Sequence, residues 1–248
     1  MIELKSLSGG YGHTEIVHDI SMAFPNGQIT AVIGPNGCGK STLLQLCCGQ
    51  LQPSRGEITA DGEPLSALSR TGIAKKISLL PQSRLVPDIT VGALVLHGRF
   101  PWLDYPRVYR AEDKAAAESA MKRMGIWDKS HRPLARLSGG ERQKAYLAML
   151  LAQDTGHVLM DEPATYLDVS HQLELLTLLG ELKQEGKCVV AVLHDLAMAL
   201  DVADQIAVMK DGRLLMAGTP EEAVASGMVE EAFGVKITRR EQYCFTRL

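Results

Sequence analysis

Apolar positions recur along this chain in two rhythms. "QITAVI" (residues 28–33) is a short apolar run between glycine signals, the form of a strand buried on both faces. "HVLMDE", "KCVVAVLHD" and "DQIAVMKDG" repeat that form later in the chain. The second rhythm is helical: "SHQLELLTLLGELKQEG" and "AEDKAAAESAMKRMG" carry it, the latter stopped by Gly125. In "RLSGGERQKAYLAMLLAQDT" (residues 136–155), Leu147, Leu150 and Leu151 have the i, i+3, i+4 spacing of a buried helix face. "GEITADGEPL" (residues 56–65) alternates about Asp61-Gly62 and predicts a hairpin.

Strands alternating with helices predict an α/β fold with a parallel sheet and right-handed crossovers. The stretch 85–152 is mostly helical and too long for one crossover. It predicts a helical subdomain inserted into an α/β core made by 1–84 and 153–248, all within one domain.

Chemistry gathers where the predicted strands end. "GPNGCGKST" fits G-x-x-x-x-G-K-[ST] between a buried strand and a helix. Backbone N–H groups of such a loop, here Gly34, Pro35, Asn36, Gly37, Cys38, Gly39, Lys40, Ser41 and Thr42 (proline supplying only geometry), make an anion cradle at a helix N-terminus. Lys40 is expected on the β- and γ-phosphates of a nucleoside triphosphate, and Ser41 on Mg²⁺. Asp161 and Glu162 close the run "HVLMDE"; beside a phosphate loop the pair divides into a metal ligand, Asp161, and a base for the attacking water, Glu162. His194 ends "VVAVLHD" within reach of a γ-phosphate, and Gln82 follows the strand-like "KISLL", able to sense metal or water. Cys38, beside a helix N-terminus and Lys40, is expected to be a reactive, low-pKa thiol.

One short piece of the pattern carries a puzzle. Ser138 and Glu141 have capping-box spacing, yet Gly139 and Gly140 fill the first turn behind Ser138. Each glycine costs about 1 kcal/mol against alanine in a helix interior. A helix start chosen for stability alone would not carry two.

Composition narrows the setting. The chain has 248 residues and a formal net charge of -3, with no basic block of the kind that binds nucleic acid. Its longest apolar run, "YLAMLLA", is far short of the about 20 residues of a membrane span. The five cysteines form no CxxC pair, and Cys47 and Cys48 are expected in the core. With no apolar signal-peptide core at the N-terminus, a reduced, cytosolic setting is expected.

Taken in order, Gly34 to Thr42, Gln82, "LSGGE", "VLMDEP", Leu167-Asp168 and His194 resemble the ATP-binding cassette ATPases, from Tyr11 to about residue 218. The resemblance implies a P-loop NTPase with a RecA-like parallel-sheet core, an N-terminal antiparallel β subdomain and an inserted helical subdomain. It implies ATP and Mg²⁺ as cofactors, with Ser41, Gln82 and Asp161 at the metal and Glu162, His194 and Gln82 in catalysis. It further implies a head-to-tail pairing with a second copy of the chain. There Ser138, Gly139 and Gly140 approach the partner's ATP, which would explain the two glycines. Tyr11 is the adenine-stacking residue of that pattern, and Asp168 lies in its D-loop. Glu141 stands where the family more often has glutamine.

"LAQDT", "TYLDVSHQ" (residues 165–172) and "GRFPW" (residues 98–102) are similar to ATPases of bacterial importers for iron-siderophores, haem and cobalamin. That likeness implies membrane permease subunits, indirectly a substrate-binding protein, and a peripheral place on the cytoplasmic face of the membrane. Phe100, Trp102 and Tyr105 are then either a permease contact or a locally packed loop. A transporter of another substrate shares the same chemistry. A soluble cassette acting on ribosomes or DNA usually carries two cassettes or a long coiled-coil insertion, and neither is found here.

Overall fold

The structure, a computed structural model, describes residues 1–82, 86–165 and 167–237. Its strands are β1 (Ile2–Tyr11), β2 (Thr14–Phe24), β3 (Ile29–Ile33), β4 (Pro53–Ala60), β5 (Glu63–Pro64), β6 (Ile77–Leu80), β7 (His157–Asp161), β8 (Cys188–Val192), β9 (Gln205–Lys210) and β10 (Arg213–Gly218). The α-helices are α1 (Lys40–Cys47), α2 (Arg70–Lys76), α3 (Val91–His97), α4 (Ala111–Arg123), α5 (Gly139–Ala152), α6 (Val169–Gln184), α7 (Leu196–Val202), α8 (Pro220–Ala225) and α9 (Met228–Phe233).

Two sheets organise the chain. One is antiparallel, in the order β2-β1-β4-β5; the other runs β10-β9-β3-β8-β7-β6, parallel from β9 to β6 with β10 antiparallel at the edge. The apolar runs become the inner strands of the second sheet because both of its faces are covered. Ile29, Ala31 and Ile33 of β3, with Val158 and Met160 of β7, face α5 and α6. Their alternates, Val32 and Leu159, face α1 and the antiparallel sheet through Leu43, Leu46, Leu7 and Phe24. The period of two thus sends each strand's side chains into two separate cores.

The Asp61-Gly62 hairpin forms as expected, joining β4 to β5 with φ of 52° and 79°. These values fit the tight turns that match strand twist. Asp211-Gly212 makes the same turn between β9 and β10, with φ of 48° and 76°. Between β6 and β7 the chain forms α3, α4 and α5, packed on one another. Their apolar residues join the core under α6 rather than closing one of their own. The expected boundary between 84 and 85 lies outside the described residues.

Candidate functional site

All of the sequence-marked strand ends meet on one edge of the parallel sheet. Parallel sheets place their binding crevices there, beyond the carboxyl ends of the strands. After β3 the chain turns through 34–39 into α1. Gly39 is the N-cap residue of α1, with φ 101° and no side-chain cap. A side chain at that φ would be strained, and the first N–H groups of α1 remain available to an anion. Lys40 is 6% exposed, and its Nζ donates to the carbonyls of Gly34 and Pro35 at 2.8 Å each. The loop itself thus holds the ammonium at the floor of the cradle.

Cys38 corrects an expectation. Its side chain is buried beneath the loop, with Sγ 3.9 Å from the Lys40 ammonium. Burial pushes the thiol's pKa up, and the opposing charge of Lys40 does not compensate. Cys38 is therefore not an activated thiol: desolvation outweighs the neighbouring cation. Cys47 and Cys48 are raised by burial too, Cys48 to about 11, and Cys47 is fully in the core as expected.

The two carboxylates after β7 sit in different surroundings. Asp161 is buried, and its Oδ1 has no hydrogen-bond partner among the described residues. Burial raises its pKa, opposed by a hydrogen bond with Ser41 and by the charges of Lys40 and His194. An orphaned buried carboxylate oxygen beside a serine hydroxyl and a phosphate cradle fits a hard divalent cation. Glu162 stands at φ 51°, a left-handed conformation that costs a non-glycine residue of order 1 kcal/mol or more. The turn directs its carboxylate into the crevice. Gln82 Nε2 donates to Oε2 at 2.7 Å, Thr165 donates to the same oxygen at 3.2 Å, and His194 Nε2 lies 2.5 Å from Oε1. Thr165 was not marked by the sequence, where its short polar side chain looks like any turn residue.

Together these groups line one cleft of about 360 Å³: Tyr11, Asn36, Gly37, Gly39, Lys40, Ser41, Thr42, Gln82, Glu162 and His194, with Ile16. Tyr11 is half-exposed at its rim, its hydroxyl donating to Gln45 Oε1 at 2.8 Å. Of the expected site residues, the lining leaves out Gly34, Cys38 and Asp161, which are buried, and Pro35, Ser138, Gly139, Gly140 and Asp168.

The capping box at α5 forms as the spacing predicts. Ser138 Oγ accepts from the Glu141 amide at 3.3 Å, and Glu141 Oε2 accepts from the Ser138 amide at 2.8 Å. Lys129 bonds the other Glu141 oxygen at 2.6 Å and, with the amide, holds that carboxyl down to about 2. The two glycines behind the cap divide. Around Gly139 a side chain would meet open space, whereas at Gly140 a Cβ would fall 2.8 Å from Nε2 of His171 in the same chain. A side chain at Gly140 therefore requires the His171 ring of its own subunit to shift, a constraint independent of any partner.

The loop around 98–105 also divides. Trp102 Nε1 donates to the Gln153 carbonyl at 2.7 Å, and the ring is flanked by Lys75 and Arg99 at 5.3 and 5.2 Å. Trp102 is a packing residue. Tyr105 is 95% exposed, whereas Phe100 stacks on His97 and has the Arg107 guanidinium 4.5 Å from its ring centre.

Comparisons with known proteins give the family. Residues 17–165 match the family model described as ABC transporter. The chain is 40% identical over 234 residues to the ferric enterobactin transport ATP-binding protein FepC of Escherichia coli (strain K12), covering 94% of this chain and 86% of that protein. It is 37% identical over 236 residues to the iron(3+)-hydroxamate import ATP-binding protein FhuC of Bacillus subtilis (strain 168), covering 94% and 88%. Among solved structures, cbiO1 of Clostridium perfringens, part of the ABC transporter complex cbiONQ, is similar with a TM-score of 0.78 and 29% identity, covering 93% and 92%.

Proposed function

The chain belongs to the ABC transporter family as a nucleotide-binding ATPase, and from that premise we propose that it powers import of iron-siderophore or related metal-chelate cargo. The observation that carries the ATPase reading is Glu162. It is held by Gln82 and His194 in the cleft that also contains Lys40. The cargo class rests on the printed functions of relatives such as FepC and FhuC, which cover most of the chain.

The backbone N–H groups of 34 and 36–42 would hold the phosphates of ATP, and Tyr11 would hold its adenine. Lys40 neutralises charge on the β- and γ-phosphates, which reside in a low-dielectric cradle where such charge matters most. Ser41, Gln82 and Asp161 would hold Mg²⁺, which would further neutralise phosphate charge. Glu162 accepts the proton of the attacking water, and His194 and Gln82 fix the carboxylate's aim. His194 then also stands within reach of the γ-phosphate. Two copies pair head to tail, and Ser138, Gly139 and Gly140 of each close over the other's nucleotide, with Asp168 at the seam.

No helix among the described residues is long and apolar enough to cross a membrane. As in the import systems of the relatives, separate permease subunits would carry the cargo, with a binding protein delivering it on the far side and this chain docked at the cytoplasmic face. In vesicles containing the chain and its permease, ATP hydrolysis and uptake of a ferric siderophore should both be lost in Lys40→Ala. Uptake that persists in that variant would contradict the reading.

A further inference from the structure

The proposed site uses Ser138 to Gly140 on a partner's nucleotide and Glu162 on the chain's own. A physical link between the two segments is built into one subunit. Helix α5 carries Gly140, Gln143 and Lys144, whose i, i+3, i+4 spacing puts them on one face. Each meets the segment that follows Glu162. Gln143, buried, donates to the carbonyl of Pro163 at 2.6 Å. Lys144 lies 2.6 Å from Glu174. Gly140 faces the ring of His171, where a Cβ would fall 2.8 Å from Nε2 and 2.9 Å from Cε1.

His171 is the member of this seam that also reaches Asp168. Its Nδ1 lies 2.7 Å from Asp168 Oδ1, and the same oxygen accepts the His171 amide at 2.9 Å as the cap of α6. The imidazole therefore spans from the Asp168 carboxylate to the bare backbone at Gly140. A part-exposed lysine–glutamate pair such as Lys144–Glu174 contributes little rigidity by itself. A planar ring tied at Nδ1 to the Asp168 carboxylate, and filling the place of a Gly140 Cβ, leaves the two segments little room to shift independently.

We propose that His171 is a positioning residue that makes the first turn of α5 and the Asp168 loop move as one body. The segment a subunit offers to its partner's ATP is thereby coupled to the segment beside its own general base. This rests on the shared-site pairing proposed above.

The test uses the full-length chain and steady-state ATP hydrolysis. His171→Ala should lower kcat about tenfold with KM for ATP changed less than about twofold, since misplacing remote supports costs rate more than binding. His171→Asn, whose side-chain amide can donate near the place of Nδ1 but does not reach Gly140, should keep the cap of α6 and its melting temperature and yet not recover kcat; a role confined to capping α6 would be rescued by it. Independently of activity, Gly140→Ala should lower the melting temperature in the parent and have little effect in the His171→Ala background. Parental kcat in His171→Ala, full recovery in His171→Asn, or additive melting shifts would each overturn the proposal. If Glu162→Gln nonetheless forms an ATP-dependent dimer, the shared-site reading survives that failure; if it does not, the reading itself has failed.

Discussion

Gln82 and Glu162, which follow adjacent strands of the parallel sheet, are joined by a 2.7 Å hydrogen bond from the glutamine amide to the carboxylate. The bond fixes the proposed base before any nucleotide arrives. Gln82→Ala removes the donor while leaving the phosphate cradle untouched. It should lower kcat by about tenfold, the scale expected for losing a partner that orients a reacting group, with ATP affinity measured without Mg²⁺ nearly unchanged. Steady-state hydrolysis beside nucleotide titration checks this; a loss confined to affinity would assign Gln82 to binding instead.

Cys38 is buried beneath the loop with its pKa raised, so it should resist alkylation near neutral pH. Mass spectrometry after brief treatment with a maleimide should find Cys38 unmodified in the folded chain with or without ATP, and modified once the chain is unfolded. Rapid labelling of the folded chain at Cys38, prevented by ATP, would reverse this account.

Trp102 and Tyr105 should behave differently although they lie close together. Trp102→Ala loses a hydrogen bond to Gln153 and the packing of Lys75 and Arg99, and should destabilise the subunit by about 2 kcal/mol. Tyr105→Ala changes a 95% exposed side chain and should leave melting and ATP affinity unchanged while weakening permease docking. Denaturant titration and co-purification with the permease separate the two outcomes.

The parts of this protein that its sequence revealed are those set by local chemistry. The phosphate loop and the apolar strands carry their meaning within ten residues, as does the Asp61-Gly62 turn. Asp211-Gly212 is the same signal, and it marks the β9–β10 hairpin. The antiparallel sheet was less legible from its own pattern. Register shifts in β1 between Leu4 and Gly10 interrupt the alternation that would announce a strand. Cys38 shows why charge neighbours alone mislead: the sequence displays Lys40 but not the depth of burial. Gly140 shows the other limit, because the ring that a side chain there would displace belongs to His171, on a different helix. Thr165 likewise becomes a partner of Glu162 only through the turn after β7.

The central claim is that Glu162 removes the water's proton in a site completed by Ser138 of a second copy. Glu162→Gln keeps the side chain's shape but cannot accept that proton, so bound ATP should persist and hold two subunits together. Sedimentation velocity of Glu162→Gln with ATP and Mg²⁺ measures this directly. The account predicts a stable dimer that needs ATP and disappears when Ser138→Arg is added to the same chain. A Glu162→Gln chain that remains monomeric with saturating ATP, or a dimer indifferent to Ser138→Arg, would contradict it.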